Sequence, residues 1–142
     1  MKQTPQRLII GGLLIATMSC ASQRELGEDD MNCPESPNCV SSLASDSAHF
    51  IAPFAFNDQP EAAMQRLKAA LLSEKRVTII KDRADYIHAE VRSLVFRFVD
   101  DVEFTLVPEQ GVFQIRSSSR VGYSDFGVNR RRIERIRKLF QH

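Results

Sequence analysis

Two arginines, Arg116 and Arg120, flank a run of hydroxyls, Ser117, Ser118 and Ser119, and Tyr123 follows shortly after. Guanidinium groups beside hydroxyls suit a carboxylate or phosphate, because the planar fork donates in pairs and each hydroxyl adds a further donor. Asp125 stands where a helix should begin, with Asn129 beyond it, and helix-start amides would reinforce the preference for an anion. Upstream, Asp101 and Glu103 share one strand face by two-residue alternation, an arrangement open to acid and base chemistry in a hydrolase or transferase. Together with Asp100 they would also suit a divalent cation. Facing Arg92 and Arg116 across neighbouring strands, they would equally form a ladder of surface ion pairs worth about 0 to 1 kcal/mol each.

The common catalytic sets are missing. His49, His88 and His142 lack metal-ligand spacing, and no GxSxG elbow or phosphate loop is present. Their absence favours a noncatalytic protein, with no metal and no cofactor, over the alternative of a hydrolase or transferase using Asp101 and Glu103. Net charge is +1 over 142 residues, which argues against a generally basic binder. The C-terminal segment is locally basic, through Arg130, Arg131, Arg132, Arg135, Arg137 and Lys138. Its partners would be anionic phospholipid, lipopolysaccharide or an acidic envelope protein, unless it is simply a solvated helix face.

The elements that must position these groups follow from periodicity. A helix is expected over residues 60–73, capped by Asp58 with Glu61 completing the box, and buried through Ala63, Met64, Leu67, Ala70 and Leu71. Four short strands follow, over residues 77–81, 86–93, 101–106 and 113–118, each with one apolar and one charged face. Residues 94–100 break the alternation and suggest a bulge or bend. A final helix is expected over residues 125–140, capped by Ser124 or Asp125 and buried through Phe126, Ile133, Ile136 and Phe140. The expected fold class is α+β, a two-layer sandwich with a four-stranded antiparallel sheet packed by two helices, its other face charged and open.

The start of the chain reads as an address. Lys2 and Arg7 precede an apolar run over residues 8–18, too short to cross a bilayer core, so residues 1–19 are expected to be a signal peptide. Thr17-Met18-Ser19-Cys20 resembles a bacterial lipobox, which implies diacylglyceryl transfer to Cys20, and Ala21 in place of the Asp that would favour inner-membrane retention implies attachment to the outer membrane, facing the periplasm. The alternative is cleavage near Ala21 and a soluble periplasmic protein. Residues 20–31 then form an acidic tether and residues 32–142 one α+β domain. With Cys20 assigned to lipid, Cys33 and Cys39 remain to form a disulfide across a short proline-containing loop.

Three segments, CPESPNCVSS (residues 33–42), FRFVDDVEF (residues 96–104) and RSSSRVGYSDFGVNRRRIER (residues 116–135), resemble the bacterial family known as domain of unknown function 1499. The resemblance spans roughly residues 31–142 and implies an exported, lipoprotein-type member. It places family-recurring residues at Asp100, Asp101, Glu103, Arg116, Ser117, Ser119, Arg120, Gly122, Tyr123, Ser124, Asp125, Gly127, Asn129 and Arg130, and brings no catalytic assignment. The expected function is an envelope lipoprotein that binds a small anionic ligand or an envelope protein around Arg116, Ser117, Ser119, Arg120, Tyr123, Asp125 and Asn129. In an exported chain, nucleic acid is not an expected partner.

Overall fold

A computed structural model describes residues 31–142. The expected signal peptide, the lipid site at Cys20 and all of the tether before Met31 lie outside the described residues. In chain order the elements are β1 (Cys39–Ser41), β2 (Phe54–Ala55), α1 (Pro60–Ser73), β3 (Val77–Asp82), β4 (Tyr86–Arg92), β5 (Val99–Val107), a single 3-10 turn (Pro108–Gln110), β6 (Val112–Ser119) and α2 (Val128–Gln141).

The sheet has six strands, not four. Its order is β1-β6-β5-β4-β3, with β2 also paired to β6, and every strand pair is antiparallel. The four expected strands form the meander from β3 to β6. The two additional strands lie end to end along the outer edge of β6, β1 opposite Arg116, Ser117 and Ser118 and β2 opposite Val112 and Phe113. At three and two residues they are too short to show alternation, and their hydrogen bonds come from a strand far along the chain. The α+β class and both helices stand as expected.

α1 buries Ala63, Met64, Leu67, Ala70 and Leu71, the stripe its spacing called for. Asp58 does not cap it: Gln59 precedes the helix without a side-chain bond, and the Asp58 carboxylate instead accepts a hydrogen bond from Arg66. α2 starts later than expected. Asp125 lies before its first turn and accepts the amides of Gly127 at 2.8 Å and Asn129 at 2.7 Å. Phe126 is not part of the buried stripe but 87% exposed, because the chain turns through left-handed backbone at Phe126 and Gly127 before the helix begins. Ile133, Ile136 and Phe140 are buried, joined by Asn129 and Arg132.

Both helices pack on one sheet face, where Phe104 of β5, Phe113 of β6, Phe54 and Phe140 form the aromatic centre of the core. The register irregularity lies in β3, between Ile79 and Lys81, and not in residues 94–100. Residues 94–96 do bend, as the turn of the hairpin between β4 and β5, which the Ser93 amide closes on the Phe98 carbonyl at 2.9 Å.

Most α2 arginines fasten the chain to itself. Arg130 donates to the carbonyls of Ala48 and Phe50, and Arg137 to those of Ala52 and Pro53 while lying over the Phe54 ring. Arg135 pairs with Glu74. The bonds of Arg130 and Arg137 satisfy carbonyls in the long segment between β1 and β2.

Candidate functional site

Alternate residues of β5 reach opposite faces of the sheet, and this divides the polar residues into two clusters. Asp100 is in phase with Val102 and Phe104 and points beneath the helices. It accepts from Arg132 Nη2 at 2.5 Å, with side chains only 9% and 5% exposed. Arg132 Nη1 donates to Asn129 Oδ1 at 2.7 Å, and Ser117 Oγ donates to the same oxygen at 2.6 Å. Asn129 Nδ2 in turn donates to Ser119 Oγ at 3.0 Å and to the Asn38 carbonyl at 3.1 Å. Among the described residues no buried side-chain polar atom lacks a partner. Such a network fixes the helix on the sheet.

Asp101 and Glu103 occupy the opposite face. Asp101 accepts from Arg120 Nε at 2.8 Å and Nη2 at 2.7 Å, and contacts His88 Nε2 at 2.7 Å. Burial opposes its charge, but the hydrogen bonds from Arg120 and His88 outweigh that and hold the carboxyl below its ordinary range. Arg120 also donates to Glu90 at 2.6 Å, and its proton is held still more firmly by Asp101 and then Glu90. Glu103 accepts from Tyr86 Oη at 2.7 Å and Arg116 Nη1 at 2.8 Å, while Arg116 Nε donates to the Asn32 carbonyl at 2.9 Å. This face is therefore partly covered rather than open: Met31 and Tyr86 are both buried, and Ser41 Oγ donates to the Met31 carbonyl. Each of the two carboxylates is thus held by an arginine on this face.

The residues expected to form one anion site are thus placed apart. Arg116 and Arg120 lie on the polar face, each bonded to carboxylates. Ser117, Ser119 and Asn129 belong to the buried cluster, Asp125 is bonded to the first amides of α2, and Tyr123 is exposed. The Asp125 carboxylate already supplies the negative charge a helix start attracts. Cys33 and Cys39 form a disulfide. It closes a loop carrying Asn38, whose Nδ2 donates to the Gly122 carbonyl at 2.6 Å and so ties that loop to the segment between β6 and α2.

A third region was not expected from the sequence. At one end of the sheet the β4–β5 hairpin faces the segment between β6 and α2 across a cleft of about 440 Å³, with Asp100 and Ser119 on its lining and Phe96, Phe98, Val121 and Phe126 around it. An adjoining cleft of about 460 Å³ reaches Lys75, Arg76 and Arg132. Among the described residues, the non-glycine positions with positive φ are Arg76, Arg97 and Phe126, and all three belong to this end. Backbone of that kind costs about 1 to 3 kcal/mol per residue and concentrates at functional sites. The available signals were Phe96 and Phe98, which alternation could not place, and Arg132, which shares the buried spacing of Asn129, Ile133 and Ile136.

A search of curated proteins finds no match to the chain. The sequence model of the family described as protein of unknown function (DUF1499) matches residues 31–140, which takes in β1 through almost all of α2 and therefore both polar clusters and the cleft. With the match covering most of its length, the chain belongs to the DUF1499 family.

Proposed function

We propose that the protein is a noncatalytic binding module of the bacterial cell envelope, anchored to the outer membrane by lipid at Cys20, and that it binds with the loop end of its sheet. The observation that carries the reading is the coincidence at that end of exposed aromatic residues, a cleft and three left-handed non-glycine residues. A large exposed apolar patch is the informative departure from an ordinary surface. Export is supported by the lipobox-like residues before Cys20 and by the Cys33–Cys39 disulfide, a bond that persists in oxidising compartments. An anionic ligand at Arg116 and Arg120 would have to displace Glu103, Asp101 and Glu90, so the ligand is assigned to the cleft that Ser119 and Asp125 also line.

Photocrosslinking in producing cells tests this. A photoreactive residue placed at Phe96 or Phe126 of the full chain should give a discrete adduct, lipid or protein. One placed at Gln110 should give none. Adducts confined to position 116, or absent from all four, would overturn it.

A further inference from the structure

The loop end combines apolar projections with unneutralised positive charge. In the hairpin, Leu94, Val95, Phe96 and Phe98 are exposed, and the rings of Phe96 and Phe98 stack with centroids 5.5 Å apart. Residues 93–98 contain no acid. Across the cleft, the exposed Val121 and Phe126 project from the segment before α2. Lys75, Arg76, Arg97 and Arg131 are all exposed here, and among the described residues none of them pairs with a carboxylate. Arg76 and Arg131 bond only to the carbonyls of Arg92 and Phe126. The nearby acids are already taken, Glu74 by Arg135 and Asp125 by helix amides.

We infer that this end docks on an anionic phospholipid bilayer, with the hairpin tip and Phe126 entering the headgroup region while Arg97, Arg131, Lys75 and Arg76 meet lipid phosphates. The inference rests on the loop end being the binding surface, and it names the occupant. Phe96 is 75% exposed and Phe126 87%, so the rings project outward as a planar partner requires. Aromatic groups at the interface and cations beside anionic headgroups are the two contributions by which a protein lies on a membrane. A second copy of this chain would instead set the unpaired cations against one another.

The chain contains no tryptophan, so Phe96→Trp introduces a single reporter. The full chain carrying it is mixed with vesicles of phosphatidylglycerol and phosphatidylethanolamine containing brominated lipid, and separately with phosphatidylcholine vesicles. Because residues 8–18 are apolar enough to attach to either vesicle, the readout is depth at position 96 and not attachment. The expected result is a blue shift and bromine quenching in anionic vesicles, absent in phosphatidylcholine and lost when Arg97→Glu is added. Gln110→Trp, at the opposite end of the sheet, stays unquenched. Absence of quenching from Phe96→Trp in anionic vesicles overturns the inference, as does a blue shift that appears without vesicles and grows with protein concentration. If quenching is absent while a photoreactive residue at position 96 captures a protein, the lipid inference fails and the binding module stands. If capture fails too, both fall.

Discussion

Arg132 of α2 and Asp100 of β5 form an ion pair at 2.5 Å beneath the helix layer, at the junction of the hydrophobic core and the loop-end cleft. Because both charges are desolvated, the pair stands or falls as a unit. Asp100→Ala or Arg132→Leu alone should cost about 3 to 5 kcal/mol by denaturant titration, since each strands a buried partner. The double change Asp100→Leu with Arg132→Met should recover most of that loss. A double variant as unstable as the singles would show that Asn129 and Ser117, not the ion pair, set the requirement.

The polar face should behave oppositely in size and be sensitive to acid. Arg120 is partly exposed, so Asp101→Asn should cost no more than about 1 kcal/mol near neutrality. The folded carboxyl titrates below its unfolded value of about 3.9, so the stability it contributes is present above that value and disappears as pH falls through the lower, folded one. The stability gap between wild type and Asp101→Asn should therefore close in strong acid, as acid-unfolding curves would show.

His49 gives the reverse pH dependence. Its Nδ1 contacts the Asp46 carboxylate at 2.9 Å and its Nε2 lies 3.2 Å from the Ser36 carbonyl, on the disulfide loop. The Asp46 hydrogen bond raises the imidazole above its ordinary value. Its contribution is thus complete below about 6.5 and lost as pH rises through the elevated folded value. His49→Gln should therefore cost more at pH 5 than at pH 9, by a small margin because Asp46 is exposed. Nuclear magnetic resonance titration of the imidazole checks the direction.

Opening the Cys33–Cys39 loop should lower stability by about 2 kcal/mol, as expected for closure of a short loop. Its local effect should be larger on the segment that Asn38 holds at Gly122 than on the core. Faster amide exchange at residues 120–124 in the Cys33→Ser, Cys39→Ser chain would report it. Uniform exchange throughout would contradict the coupling.

Phe126 should trade stability against binding. Its φ of 52° and its exposure mean that the ring contributes strain without burial. Phe126→Gly should raise folding stability by about 1 kcal/mol while weakening capture at the loop end. Phe104→Ala, by contrast, removes a fully buried ring and should cost about 3 to 5 kcal/mol. A destabilised Phe126→Gly chain would mean that the ring packs in the folded protein.

Sequence periodicity alone revealed α1, the strands β4, β5 and β6 and the buried stripe Ile133, Ile136 and Phe140, because each of these elements repeats its burial over several turns or alternations. Cysteine number and spacing pointed to the Cys33–Cys39 bond in the same local way. Tertiary structure decided the rest. β1 and β2 exist only because β6 offers an open edge, and Asn129 reaches the Asn38 carbonyl from 91 positions away. Whether Arg116 and Ser117 cooperate depended on the sheet between them, whose opposite faces carry neighbouring residues to different partners. The placing of Phe96 and Phe126 on one cleft was likewise beyond local patterning, since exposed loops carry no periodicity and are brought together only by the pairing of β4, β5 and β6.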